Sequence, residues 1–107
     1  MAKVIWEDAA TIVLLEFIEN ARLEFGESTA KRWQKERKTI EWRLERYPVS
    51  YPLEGLLLGR SVLYRHCHLM HNRFKIIYYY NETEDTVSIV DIWDSRMNPQ
   101  TLIKRIR

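Results

Sequence analysis

The chain is poor in the residues that mark special construction. Among 107 residues it has one cysteine, three glycines and three prolines. A lone Cys67 cannot form an internal disulfide, and in an apolar-rich strand its ordinary fate is a small buried thiol. No run approaches the roughly eighteen apolar residues of a membrane span, so a membrane partner is not expected. The opening Met1-Ala2-Lys3-Val4-Ile5-Trp6-Glu7-Asp8 meets acids before any apolar core of a signal peptide could form, so the expected location is the cytoplasm. We find no repeat, low-complexity tract or linker, and the length suits one domain over 1–107. Net charge is also scarce, at +2, which singles out no polyanion binder.

The distribution of charge says more than its sum. Residues 1–27 carry six acidic and two basic side chains, and residues 28–47 carry seven basic and three acidic. Two readings follow: neighbouring helices that complement each other, or a basic surface built on Lys31, Arg32, Lys35, Lys38 and Arg43 that meets nucleic acid or another acidic partner.

Hydrophobic periodicity sets the elements. Val4-Ile5-Trp6 suits a first strand, and Asp8 stands where an N-cap would. From Ala9 to Phe25, Ile12, Val13, Leu15, Ile18, Ala21, Leu23 and Phe25 recur at helical spacing until Gly26 supplies a positive φ. Ser28 can cap a second helix with an inward stripe of Ala30, Trp33, Ile40, Leu44 and Tyr47, stopped by Pro48. Two helices joined by two or three residues form an antiparallel hairpin. The stretch 48–59, with two prolines and two glycines, reads as irregular.

Val62–Leu69 then alternates with a strand's period of two. Leu63, Cys67 and Leu69 point one way, Tyr64, His66 and His68 the other, and Arg65 spoils the apolar side. His71-Asn72 marks a hairpin turn. Strands at Phe74–Tyr80 and Thr86–Trp93 flank an acidic turn. Asn98-Pro99 is an N-cap with proline at the first helical position, and Leu102, Ile103 and Ile106 face inward behind it. The fold class is α+β: an N-terminal strand, an antiparallel helical hairpin, a three-stranded antiparallel meander completing one sheet, and a short C-terminal helix.

This order, with the Ile5-Trp6 opening, Phe25-Gly26 between two helices, Ala30 early in the second, Phe74-Lys75-Ile76-Ile77-Tyr78 and the ending Asp94-Ser95-Arg96-Met97-Asn98-Pro99, resembles the RelE/ParE family of bacterial toxins over nearly the whole chain. The resemblance implies a microbial-ribonuclease-type architecture and a growth-inhibiting toxin neutralised by a small antitoxin protein. RelE-like members cleave messenger RNA at the ribosome, and ParE-like members inhibit DNA gyrase by binding. By the same resemblance His66, His68, Lys75 and Arg96 fall at the cationic positions of the ribonucleases, whereas no tyrosine follows Tyr80 where those enzymes often carry one.

The chemistry fits such a set. Cleavage by the RNA's own 2′-hydroxyl needs a base, an acid and positive charge at the phosphorane, and histidine exchanges protons near neutral pH. Histidines at i and i+2 share a strand face about 7 Å apart. Lys75 and Arg96 could supply charge, and Tyr64 and Tyr79 a stacking surface for a base. No cofactor is called for. The plain alternative is that His66, His68 and Tyr64 are only the polar side of an antiparallel strand. A metal site is not expected, since Cys67 points away from both histidines.

Overall fold

The computed structural model describes residues 1–106. The elements are β1 (Lys3–Trp6), α1 (Asp8–Phe25), α2 (Glu27–Arg46), a single 3-10 turn at Gly55–Leu57, β2 (Tyr64–Leu69), β3 (Phe74–Asn81), β4 (Thr86–Asp94) and α3 (Pro99–Arg105). One sheet runs in the order β1-β4-β3-β2. β1 lies parallel to β4, and the other pairs are antiparallel. Among the described residues no helix is long and apolar enough to cross a membrane.

The helical hairpin covers one face of the sheet. Ala10, Leu14, Ile18 and Ala21 of α1 join Ala30, Trp33, Ile40 and Leu44 of α2 over Cys67, Leu69, Phe74, Ile76, Tyr78, Val87, Ile89 and Ile92. Phe17, Trp33 and Phe74 meet with ring centroids 4.7 to 5.8 Å apart. Removing the Phe74 ring from that cluster would cost about 3–5 kcal/mol. The opposite face is covered by the 3-10 turn and α3, where Leu57, Leu102 and Ile106 pack on Tyr64, Ile77 and Trp93.

The local structure departs from the sequence pattern at several points. Asp8 is the first residue of α1, whose N-cap position is Glu7 with no capping side chain. Ser28 lies inside α2, because Gly26 alone separates the helices. Gly26 has φ 96 and ψ 178, a conformation essentially confined to glycine; its N–H bonds to Arg22 O at 2.9 Å, and its carbonyl accepts from Ala30 N. In α1 the inward stripe is Ala10, Leu14, Ile18 and Ala21, while Ile12, Leu15, Leu23 and Phe25 are exposed. Apolar residues surround α1 on every side, so spacing alone did not select its buried face. Tyr47 and Leu63, both assigned inward, are likewise exposed.

Two further features follow from longer-range contacts. Ile89 and Ile92, three apart, both face the helices because the β3–β4 register shifts at Ile77/Tyr78. That bulge re-aims β4, so that Val90 and Trp93 reach the α3 side, as does Asp91 through its bond to Arg105. Arg65, which broke the strand pattern, donates to Tyr51 O at 2.7 Å because residues 52–54 run along the outer edge of β2. Asn98 accepts from Gln100 N at 3.0 Å and caps α3 as its sequence implies.

Candidate functional site

The period of β2 and the register of β3 bring His66, His68 and Lys75 onto the sheet face opposite the hairpin. His68 stands across from Lys75 in the ladder, and His66 across from Ile77. The two imidazoles meet edge to face with centroids 5.2 Å apart. What organises them is Glu54, which the sequence reading passed over. It sits just before the 3-10 turn, capping it by accepting from Leu56 N at 3.3 Å, and it is 2% exposed. Backbone bonding fixes its place: Glu54 N donates to Tyr64 O and His66 N donates to Pro52 O, so this loop forms a short outer strand on β2.

Glu54 holds both cationic neighbours. Lys75 Nζ donates to its two carboxylate oxygens at 2.7 and 3.1 Å, and His66 Nδ1 lies 2.9 Å from Oε2, close but poorly aligned for a hydrogen bond. Lys75 also stands 5.3 Å over the Trp93 ring. Burial pulls the His66 pKa below 6.5, with Lys75 and His68 pulling the same way and Glu54 opposing. His66 is therefore neutral at pH 7. With Nδ1 turned to the carboxylate, Nε2 is the nitrogen free to accept a proton, and His68 beside it is exposed. Lys75 has three N–H groups, of which the carboxylate uses two. The arrangement can take a proton, give one, and offer one charged donor within a small area.

Other expected members lie elsewhere. Arg96 binds Asp94 through Nε and Nη2, at 3.3 and 3.1 Å. Asp94 pairs with Phe74 in register, and Arg96 lines a groove of about 500 Å³ with Phe17, Ala21, Trp33, Arg73 and Phe74 on the hairpin side. The structure thus separates Arg96 from His66, His68 and Lys75. A strand's alternation fixes the direction of the other three, but Arg96 follows a turn capped by Asp94, whose carboxylate accepts from Arg96 N at 2.9 Å.

Tyr64 is buried and packs edge to face against the half-buried Tyr79 at 5.8 Å, so the two rings form a wall beside the histidines. Lys31, Arg32, Lys35, Lys38 and Arg43 are exposed on α2, and Arg32 and Lys35 line a groove together with His68 of the edge strand β2. Cys67 is buried on the hairpin side, its thiol pushed up to about 12 by burial. Among the described residues no three His, Cys, Asp or Glu side chains converge as metal ligands.

No model of a protein family matches this chain, and no curated protein matches it. Solved structures do. The chromosomal ParDE TA system from P. aeruginosa aligns over 88% of this chain and 96% of that chain, with 15% identity and a TM-score of 0.68. A metal-bound toxin from Helicobacter pylori aligns over 90% and 97% at 18% identity and TM-score 0.61. The isolated E. coli RelE toxin aligns over the full length of both chains at 14% identity and TM-score 0.55. At these identities the likeness is one of fold.

Proposed function

We propose that this chain is the toxin of a toxin–antitoxin pair and that it acts as a metal-independent endoribonuclease on messenger RNA at the ribosome. The fold shared with the ParDE and RelE chains supports the toxin role and an antitoxin partner. The observation that carries the enzymatic part is the cluster of His66, His68 and Lys75 around buried Glu54. Neutral His66 takes the proton of the RNA 2′-hydroxyl through Nε2 as that oxygen attacks the adjacent phosphorus. The P–O5′ bond breaks, and the leaving 5′-oxygen receives a proton from His68, leaving a 2′,3′-cyclic phosphate. The third N–H of Lys75 stabilises the charged phosphorane. Glu54 touches no substrate; it positions His66 and Lys75.

A second reading is favoured by specific observations. Arg96 stands outside the cluster, no tyrosine follows Tyr80, and the ParDE likeness carries the higher TM-score of those described. On that reading the chain inhibits DNA gyrase by binding alone.

The test is expression of the chain without a partner, followed by transcript-end mapping on ribosomes and, separately, a gyrase supercoiling assay. Growth arrest with new ends inside translated codons is expected. Growth that continues at high expression contradicts a toxin role, and arrest with supercoiling inhibition and intact transcripts selects the second reading.

A further inference from the structure

The charge asymmetry of the hairpin is not consumed within the molecule. Between α1 and α2 the ion pair formed is Arg22–Glu27, at the connection itself; the other pairs lie within one helix or its end, as Arg22–Glu19, Arg32–Glu36, Arg37–Glu41 and Arg46–Glu45. Among the described residues Glu16, Lys31, Lys35 and Lys38 have no ion-pair partner. The expectation that the two helices complement each other side by side is therefore not what they do.

Their stripes point elsewhere. At about 100° per residue, Asp8, Ile12, Glu16, Glu19 and Leu23 fall on one line of α1, diametrically opposite its buried Ala10, Leu14 and Ala21. Lys31, Lys35, Lys38 and Trp42 fall on one line of α2, opposite buried Trp33, Ile40 and Leu44. Both helices are packed by their buried lines on the same sheet face, so both outer lines face away from it, side by side. One is acidic and apolar, the other basic with an exposed tryptophan. Ile12 is 58% exposed, Leu23 78% and Trp42 52%, which is much apolar surface for solvent-facing helix positions.

We propose that this face is a self-association surface, on which two copies pack hairpin against hairpin with α1 of each on α2 of the other. A twofold axis along the hairpin midline exchanges α1 for α2 while keeping each residue at its height. Since the helices run antiparallel about Gly26, Leu23 then meets the stem of Lys31, and Glu19 falls between Lys31 and Lys35. In the same pairing Glu16 falls between Lys35 and Lys38, and Ile12 between Lys38 and Trp42. Apolar opposes apolar and acid opposes base, and the symmetry makes each contact twice. A strand of nucleic acid laid on the lysines would run beside Asp8, Glu16 and Glu19, which repel phosphate; the second copy uses both lines. Two helices of 18 and 20 residues are about 27–30 Å long. They present less than the roughly 800 Å² per partner of a standard interface, so the dimer is weak and dissociates in salt.

Sedimentation of the partner-free chain at micromolar concentration, in low and high salt and after nuclease treatment, tests this. A dimer at low salt that reverts to monomer at high salt is expected. Glu16→Lys with Glu19→Lys, and separately Lys35→Glu with Lys38→Glu, should each weaken it on the order of tenfold or more. Mixing the two variants should restore it as a heterodimer, because the reversed acids and bases then complement one another. Circular dichroism confirms that these exposed replacements leave the fold intact. A monomer at all salts, a dimer indifferent to both reversals, a mixture that stays monomeric, or a larger species that vanishes with nuclease would each overturn the proposal, the last in favour of polyanion binding.

Discussion

Replacing Glu54 by alanine is the most informative single perturbation of this molecule. Its carboxylate is 2% exposed and is the counter-ion of Lys75 and the neighbour of His66. Removing one partner of a buried pair costs about 3–5 kcal/mol, because the other charge is left uncompensated. Lys75 retains 15% side-chain exposure and His66 17%, so some water returns and the lower end, about 3 kcal/mol, applies. At roughly 4–8 °C per kcal/mol for a domain near this size, the melting temperature should fall by about 12 °C or more. Urea unfolding of the purified chain at pH 7.5 measures it. Lys75→Met alone strands the carboxylate and should cost a similar amount, whereas Glu54→Ala with Lys75→Met should cost less than the two singles summed, by about 2 kcal/mol. If Glu54→Ala costs less than about 1 kcal/mol, or if the double change is additive, Glu54 is not the buried counter-ion and the organisation of the site described above is wrong.

Burial lowers the His66 pKa, so the folded state resists the proton that the unfolded chain accepts near 6.5. His66 thus contributes stability that is present above pH 6.5 and lost as pH falls below it; NMR titration of its ring should give a midpoint below 6.5, and Glu54→Gln should lower the midpoint further by removing the opposing charge. The Cys67 thiol, 2% exposed and pushed up to about 12, should resist alkylation at pH 8 until denaturant is added, and rapid labelling of the native chain would contradict its place in the core. Asn98→Ala removes the cap of α3 and should cost about 1 kcal/mol in urea unfolding.

Much of this architecture is legible in the sequence because each element announces itself locally. The two-residue period of β2 put His66 and His68 on one face and Cys67 on the other, and Asn98-Pro99 marked the start of α3 within a residue. What stayed hidden depended on distant partners. Glu54 is a lone acid in an irregular stretch, and nothing local says that the stretch lies along β2 and places the carboxylate between a lysine and a histidine. Arg65 looked like an error in the strand pattern until the same stretch supplied Tyr51 O as its acceptor. Arg96 follows a strand end, where alternation no longer fixes direction, and the Asp94 turn carried it to the hairpin side. In α1 the apolar residues ring the helix, so the buried face was set by the sheet beneath it.

The central claim is that the cluster cleaves RNA, and the direct measurement is cleavage in a reconstituted translation mixture by the wild type, His66→Ala, His68→Ala and the double variant, with a supercoiling assay run beside it. We expect cuts within ribosome-bound codons from the wild type, at least about tenfold slower cleavage for each single variant since positioned proton transfer is worth about 10²–10⁴, and folded variants that still bind the antitoxin. Undiminished cleavage by the double variant, or no cleavage by a wild type that inhibits gyrase, would contradict it.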